Sequence, residues 1–421
     1  MAISNRTMSV PLLAVAFALL LPGGDAIRMM AGAKAGRRGG GAAKGKKVAP
    51  AAKLGGKGFG SALAAKKGAG GGVLLTEPRY EALYEWLRTS PETNLKKVGV
   101  GEFDGLRGVM ALQDIAAGEE IVGIPAAFAV NLGTESADPL PAAQRLLATR
   151  AAEVEPAYEL DEDELDNPDA DAAVLPSSPR AAYWETLPPP DSPDLCTPDF
   201  FSEKELQMMQ WPPLVVETRS RSGAIRNALG AAAPTGDTSV ASLSAAGGRL
   251  RELRWAVWAV LSRVLTVQGP PAATGGLSAS SGPAAYKLLI PFIDMFNHKA
   301  GTKHYLTGRT DGRLRVVAGS PIKAGEQIFI LYGTAATSNQ EFVAHYGFHD
   351  PSQAAAAADR ALVRQRRDFV PALRHTTIEA DEELLAELLR DGAPYTETLA
   401  LRLRLSLKRA AQQEGLLDEA E

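Results

Sequence analysis

One segment of the 421-residue chain joins an apolar run to three polar side chains that could do chemistry. The run Leu288–Phe296 contains a single acid, Asp294, and Asn297 and His298 follow it directly. The pattern indicates polar groups at the edge of a core, where they could hold a ligand. They could equally be a capping residue and a histidine whose hydrogen bonds are satisfied. A metal site made of Asp294, His298 and His304 is a third alternative.

A second segment, Ile330–Phe348, contains two tyrosines that could face the same ligand. A predicted strand ends at Tyr332, and either Ser338 or Asn339 is expected to cap a short helix. Tyr346 lies near the end of the segment. A buried tyrosine usually packs in a core with its hydroxyl satisfied, and this alternative applies to Tyr346 in particular.

The tetrapeptide Gly105-Leu106-Arg107-Gly108 is a third candidate, because glycines let a backbone approach a ligand closely. The same four residues fit an ordinary turn. The single cysteine, Cys196, excludes a disulfide within the chain and a zinc site built on several cysteines.

Two strand–turn–strand units are expected to position these candidates, at residues 108–125 and 314–331. Both contain the pattern Ile-x-x-Gly-Glu-x-Ile, starting at Ile115 in the first unit and at Ile322 in the second. The shared pattern indicates two similar hairpins, and chance use of a common turn is the alternative.

Helices are predicted between and after these units. Apolar spacing predicts helices at residues 80–87 and over Leu250–Val267. Phe201–Gln210 is predicted as a short helix with Ser202 as N-cap and Glu205 as its capping-box partner. Three further helices are expected at 359–374, 380–390 and 394–413.

Two polar stretches separate the helices. Residues 153–171 contain ten acids and no Lys or Arg, and residues 268–285 are rich in Pro, Gly and Ser. We expect both to be exposed, mobile connections. These elements together predict an α+β fold. Its β core runs from 77 to 349 and is split by a helical insert at about 130–285, and a short helical region follows at 350–421.

The first 76 residues differ from the body in charge. They carry 12 Lys and Arg and one acid, a net charge of +11, whereas the remaining residues sum to −15. Residues 1–26 contain the 12-residue apolar run Val10–Leu21, which is typical of a signal peptide and short for a membrane span. Residues 27–76 are acid-free, basic and of low complexity, as in a transit peptide.

Together the two parts resemble the bipartite leader of proteins sent to complex plastids, and a plastid location is therefore expected. Plain secretion, the cytoplasm, an incorrectly assigned start and a disordered basic arm are the alternatives. No later segment is long and apolar enough to span a membrane, so the mature form is expected to have no membrane partner. The acidic body makes nucleic acid an unexpected partner.

The candidate segments together resemble the SET-domain methyltransferases, in the branch of the Rubisco large-subunit lysine methyltransferase and the actin-histidine methyltransferase. The resemblance covers about residues 95–349 and rests on Ile290–His298, Gly325–Ile328 and Tyr346–Phe348. Looser matches are Arg107–Val109 on the Gly-rich motif, Ser262-Arg263 on the long helix, and Tyr183–Pro188 in the insert. In this family the carboxy-terminal tyrosine segment threads beside the Asn-His segment as a pseudoknot.

The resemblance implies an S-adenosylmethionine-dependent protein N-methyltransferase with Tyr332 as the catalytic residue and no metal. Residues expected to hold the cofactor are Gly105, Leu106, Arg107, Arg263, Asp294, Asn297, His298, Tyr332, Tyr346 and Phe348. Residues expected at the substrate are Ser262, Arg263, Leu265, Asp294 and Tyr346.

Leu265 stands where histidine-modifying relatives place an amide and lysine-modifying relatives an aromatic residue, so its apolar side chain favours lysine as acceptor. The implied partner is a protein with a target lysine or histidine, such as Rubisco or another plastid protein. A non-catalytic SET-fold scaffold that binds a partner, and a metal-dependent hydrolase, are the alternative functions.

Overall fold

The computed structural model describes residues 72–154, 178–230, 240–268, 285–308 and 312–417, together with two short strands at 158–159 and 173–174. The predicted leader lies almost wholly outside the described residues. The same is true of most of the acidic stretch and of the Pro/Gly/Ser-rich connection. The predictions made for these three segments stay predictions.

The described residues form thirteen strands and ten α-helices. The strands are β1 (Val73–Leu74), β2 (Val98–Phe103), β3 (Leu106–Ala111), β4 (Glu120–Pro125), β5 (Val130–Thr134), β6 (Tyr158–Glu159), β7 (Ala173–Val174), β8 (Leu265–Gln268), β9 (Ala285–Leu289), β10 (Asn297–His298), β11 (Tyr305–Gly308), β12 (Arg313–Val317) and β13 (Gln327–Ile330). The helices are α1 (Pro78–Arg88), α2 (Leu140–Val154), α3 (Ala181–Trp184), α4 (Glu203–Met208), α5 (Pro212–Gly230), α6 (Val240–Arg263), α7 (Asn339–Glu341), α8 (Gln353–Gln365), α9 (Ile378–Arg390) and α10 (Tyr395–Gln413).

Three sheets build the β part of the fold. The largest has the order β1-β2-β3-β13-β10, in which the β10–β13 pair is parallel and the other pairs are antiparallel. Two antiparallel three-stranded sheets have the orders β11-β12-β4 and β5-β9-β8. Strands β6 and β7 form a separate two-stranded ribbon. The mixture of separate sheets and helices confirms the α+β prediction.

The two predicted hairpins are wrong, because the two units pair with each other instead of folding back on themselves. Strand β3 of the first unit pairs with β13 of the second, and β4 pairs with β12. The two turns meet through an antiparallel bridge between Ile115 and Ile322. Each turn therefore carries its chain from one sheet to another, and the central strands of both sheets acquire partners on two sides.

The helices agree with the sequence in type and differ from it in length. Helix α4 has the predicted capping box, with Ser202 accepting from the Glu205 N–H and the Glu205 carboxylate accepting from the Ser202 N–H. Helix α6 begins at Val240 and ends at Arg263, so it starts earlier and stops sooner than Leu250–Val267. Leu265–Gln268 instead pairs with β9, which satisfies its backbone groups as a strand.

The last three predicted helices are confirmed, with one break. Helix α8 starts at Gln353, where Ser352 caps it, and ends before a 3-10 segment at Arg367–His375. Pro371 lies inside that segment and lacks the N–H that a regular α-helix would need. Among the described helices, none combines the length and the apolar character needed to cross a membrane.

The insert contributes to two separate hydrophobic cores. Helix α6 supplies Trp255 and Trp258 to the main core, which also contains the buried faces of β3, β4 and α1. The second core joins α4 and α5 to the helical region after residue 350, with Trp211 and Leu403 among its fully buried members. The insert thereby fixes the carboxy-terminal helices against the β body.

Gly347 and Gly392 offer a matched test of the local backbone. Both have φ near +70°, but a Cβ at Gly347 would lie 2.8 Å from the Cys196 carbonyl carbon, whereas a Cβ at Gly392 would meet open space. We expect Gly392→Ala to cost about 1–2 kcal/mol of unfolding free energy for its left-handed backbone. Gly347→Ala should cost roughly 1–3 kcal/mol more, because backbone atoms must move.

Urea denaturation of both variants and the parent, followed by circular dichroism, measures the difference. Equal midpoints for the two variants would show that the chain around Cys196 moves freely and that the close approach has no energetic cost.

Candidate active site

The apolar run after β9 places the Asn-His segment by means of a strained turn. Phe292 has φ of 70° and ψ of −42°, a backbone conformation that is rare for a bulky side chain and costs about 1–3 kcal/mol. Its ring is fully buried and lies 6.1 Å from the Tyr84 ring and 6.4 Å from the Phe296 ring. The packing of the ring offsets the strain, and the turn delivers Asn297 and His298 to the edge of β13.

Both the backbone and the side chain of Tyr332 are hydrogen-bonded to this segment. Its backbone N–H donates to His298 Nδ1 at 2.9 Å, and its phenol donates to the Phe296 carbonyl at 2.5 Å. The predicted Asn-His segment and the predicted tyrosine are therefore in direct contact, as one site requires. The phenol oxygen keeps lone pairs that are not used by the hydroxyl proton, so it can still accept from a ligand.

An aromatic cluster encloses the tyrosine. The Tyr346 ring lies 4.8 Å from the Tyr332 ring, and the Phe342 and Phe348 rings lie 4.8 Å and 5.6 Å from the His298 ring. Burial raises the pKa of Tyr332, and it raises the pKa of Tyr346 to about 12. Both phenols are therefore neutral hydroxyls at physiological pH.

A buried ion pair fixes the other side of the site. Arg263, at the end of α6, donates through Nη1 to the Asp294 carbonyl at 3.0 Å and to its carboxylate Oδ2 at 3.2 Å. The Tyr183 hydroxyl donates to the same Oδ2 at 3.0 Å. Burial lowers the pKa of Arg263, and the Asp294 charge opposes that shift. The pair ties α6 and the insert to the Asn-His segment.

A cavity of about 250 Å³ opens between these groups. The predicted residues among those that line it are Ser262, Arg263, Leu265, Asp294, Tyr332 and Tyr346. The structure thus brings the whole predicted substrate set and the predicted catalytic tyrosine to one cavity. Their roles in binding and catalysis stay predictions.

The other predicted cofactor residues lie behind the cavity wall. The Asn297 amide donates to the Arg107 carbonyl at 2.7 Å, which joins the start of β3 to β10. A Cβ at Gly108 would lie 2.8 Å from that amide nitrogen, so the glycine permits this close approach. Gly105 and Leu106 lie at the β2–β3 turn, and neither is among the residues that line the cavity.

The sequence did not identify several residues of the site. Tyr183 was noted only as part of the insert, yet its hydroxyl contacts Asp294. Thr302, Lys303, Tyr305 and Leu306 line the cavity from β11 and the loop before it. Their signal in the sequence is non-local. β11 pairs with β12, and the Thr302 hydroxyl donates to the Phe329 carbonyl of β13, shortly before the tyrosine.

Comparison with known protein families identifies the domain that contains this arrangement. The model of the SET domain matches residues 106–333, which is more than half of the chain. The chain belongs to the SET-domain family. The matched span begins at β3 and ends just after Tyr332, so it includes both strand units and the insert between them.

Two kinds of similar protein were found for this SET domain. The actin-histidine N-methyltransferase of Drosophila melanogaster is 36% identical over 101 residues, which are 24% of this chain and 17% of the fly protein. That of Homo sapiens is 37% identical over 97 residues, 23% of this chain and 14% of the human protein. The matches span less than a fifth of the length of these relatives.

A solved structure resembles most of the chain. Rubisco LSMT bound to AdoMet superimposes with a TM-score of 0.51, at 18% identity, over 80% of this chain and 91% of that one. At this level of identity the likeness concerns the fold. It agrees with the predicted branch of the family.

The predicted SET pseudoknot brings two segments together that are distant in sequence. Strand β10 lies parallel to β13, and the segment after β13 returns so that the Phe342 and Phe348 rings flank the His298 ring. A single π-helical turn at Phe342–Tyr346 precedes the return. The tyrosine segment therefore packs around the Asn-His segment.

The metal alternative finds no support in the described part of the chain. Asp294 is engaged by Arg263 and Tyr183, and His298 faces Asp350. Within the described residues, no group of three or more His, Cys, Asp or Glu side chains is arranged to hold a metal ion.

Two histidines near the site should make the stability of the folded protein decrease in acid. Burial, assisted by the charge of Arg221, lowers the pKa of His345 to about 4, and burial with the charge of Arg402 lowers that of His349 to about 4. Both are neutral in the folded protein, whereas the unfolded chain protonates them below about pH 6.5. The unfolded state gains protons first, so stability should fall as pH falls from about 6.5 to 4.

Urea midpoints measured across that window test the expectation. His349→Gln should flatten the pH dependence, and His375→Gln, at an exposed histidine, serves as the control. An unchanged slope for His349→Gln would show that this histidine binds its proton equally well in the folded and unfolded protein, against the lowered pKa.

Proposed function

We propose that the protein is an S-adenosylmethionine-dependent protein N-methyltransferase, with lysine favoured over histidine as the acceptor. The observation that carries the proposal is the Tyr332 phenol at the wall of one cavity shared with Ser262, Leu265 and Tyr346. In a SET domain this cavity lies beside the Asn-His segment. The observed contacts between Tyr332 and His298 supply that arrangement.

The residues present fit the chemistry of the cofactor. Within the described residues, Arg107 Nη2 and Asp294 Oδ1 are buried and have no hydrogen-bond partner. A guanidinium N–H suits a carboxylate, and a carboxylate oxygen suits an ammonium group. S-adenosylmethionine carries both groups in its amino-acid part. Arg107 and Asp294 would hold it through these two atoms. Asn297 and His298 would support the site from behind, because the Asn297 NH₂ group and both His298 ring nitrogens already have protein partners.

When bound, the cofactor supplies a methyl group on a positively charged sulfur. The acceptor amine must be uncharged, because a protonated lysine has no lone pair, and a free lysine has a pKa near 10.4. The apolar and aromatic walls of the cavity disfavour the charged form of that amine. Tyr332 and Tyr346 flank the acceptor and exclude water, and the phenol oxygen of Tyr332 can accept from it. The chain therefore acts mainly by alignment.

Leu265 supports lysine over histidine. Its side chain lines the cavity and offers no hydrogen bond to the second nitrogen of an imidazole ring. Leu265 therefore adds no hydrogen bond to a histidine acceptor, whereas an amide at this position could pair that nitrogen and avoid a cost of about 1–3 kcal/mol. The related actin-histidine enzymes match only a quarter of this chain, so they do not decide the acceptor.

The proposed protein substrate is a plastid protein, Rubisco being one candidate. Support comes from the leader, with its apolar run and its acid-free basic segment, and from the likeness to the LSMT fold. The net charge of −15 after residue 76 suits a basic, lysine-bearing partner.

Tyr332→Phe should lower methyl transfer about fivefold or more, because it removes one directed oxygen contact worth about 1 kcal/mol. The measurement is incubation with labelled S-adenosylmethionine and cell extract, followed by mass spectrometry of the methylated peptides. Tyr395→Phe is the matched control, since Tyr395 is a phenol in the second core, away from the cavity.

Undiminished labelling of the same band by Tyr332→Phe would remove this tyrosine from the mechanism. Calorimetry with S-adenosylhomocysteine separates the scaffold alternative, because a protein that only binds a partner should release no heat.

The leader gives a separate prediction. Residues 1–76 fused to a fluorescent protein should direct it to the plastid in a cell with complex plastids, and residues 27–76 alone should fail, because the signal-peptide part is missing. Fluorescence confined to the cytosol with the full leader would remove the proposed location and the plastid substrates with it.

A further inference from the structure

We propose that Asp350 is a positioning residue: it holds the His298 ring in the tautomer whose Nδ1 accepts from the Tyr332 backbone N–H. The carboxylate thereby fixes the end of β13, from which the Tyr332 phenol projects. The effect on methyl transfer rests on the proposed function, whereas the effect on the ring does not.

The hydrogen bonds around His298 determine its tautomer. Nδ1 accepts from the Tyr332 N–H at 2.9 Å, so Nδ1 cannot carry a proton. A neutral imidazole then has its proton on Nε2. Nε2 lies 3.4 Å from Asp350 Oδ2, and both side chains are 2% exposed. The buried carboxylate is the acceptor that this proton faces.

Asp350 is available as an ionised acceptor. Burial by itself would raise the pKa of its carboxyl, but the hydrogen bonds from His298 and Ser352 outweigh burial and lower the pKa. Ser352 donates through its backbone N–H to Oδ1 at 3.0 Å and through its hydroxyl to Oδ2 at 2.7 Å. Oδ2 is thus shared between the cap of α8 and the His298 ring.

The position of Asp350 is set from the carboxy-terminal helices. Its backbone N–H donates to Asn339 Oδ1 at 2.7 Å, and Asn339 donates to the buried Asp359 of α8 at 2.7 and 2.8 Å. The Ser406 hydroxyl of α10 donates to the same Asp359 carboxylate. A continuous series of hydrogen bonds therefore runs from α10 to the backbone of Tyr332.

A purely structural role for Asp350 is the competing explanation, since it also orients the cap of α8. Two variants separate the roles. Ser352→Ala removes the cap and leaves the carboxylate facing His298. Asp350→Leu keeps about the size of the side chain and removes the acceptor that faces the Nε2 proton, so the carboxylate no longer selects the tautomer.

The test uses the full chain labelled with ¹⁵N-histidine and ¹⁵N-tyrosine. Long-range ¹H–¹⁵N spectra report the histidine rings and ordinary ¹H–¹⁵N spectra report the Tyr332 amide, both recorded without cofactor. The chain has five histidines, so His298 can be assigned by loss of its signals in His298→Gln. The parent and Ser352→Ala should show the Nε2–H tautomer, Ser352→Ala with a lower melting temperature. Asp350→Leu should show a mixture of tautomers, a shifted Tyr332 amide and at least about tenfold slower methyl transfer, since a small misplacement of the tyrosine is enough for such a loss.

A pure Nε2–H tautomer and an unshifted Tyr332 amide in Asp350→Leu would overturn the proposal, whatever the activity. A changed tautomer in a protein whose parent form transfers no methyl group would leave the positioning role standing and would refute the proposed function instead.

Discussion

The antiparallel pairing of the two strand–turn–strand units is the constraint on which the site depends. β3 with β13, and β4 with β12, bring together segments that the insert separates in sequence. The bond from the Asn297 amide to the Arg107 carbonyl crosses this junction. Beside it, the parallel pairing of β10 with β13 sets Tyr332 next to His298. The backbone hydrogen bonds of the sheets hold the two halves in one register, which fixes where the side chains of the site lie relative to one another.

The Arg263–Asp294 pair shows how the insert takes part in the site. Both side chains are almost fully buried, and removing either one would leave an uncompensated charge at a cost of about 3–5 kcal/mol. An apolar pair of equal volume could be as stable, so stability alone does not explain the pair. Its effect is to fix the last turn of α6, and with it Ser262 and Leu265, against the Asn-His segment.

Local features of the fold could be predicted from the sequence, and pairings could not. The capping box of Ser202 and Glu205, and the buried face of α1, follow from residues a few positions apart. The Ile-x-x-Gly-Glu-x-Ile pattern specifies a turn but contains no information about which strand lies beside it, so hairpins were predicted where units exchange partners. The end of α6 was missed because the pairing of Leu265–Gln268 with β9 overrides helical spacing. The residue types of the tyrosine and the Asn-His segment left a purely structural role open, and their resemblance to the SET motifs identified them. Tyr183 and the β11 residues have no such local motif and come to the site only when the chain folds.

The exchange of partners between the units also has a consequence for biosynthesis. Met110 pairs with Gln327, so β3 must wait for roughly 200 more residues to be synthesised before its partner exists. Until then the nascent chain exposes one unpaired edge of an apolar strand, and such edges promote aggregation. Strand β2 covers the other edge at once through a two-residue turn. We therefore expect the nascent chain to depend on chaperones for a longer time than a protein of the same length built from local hairpins.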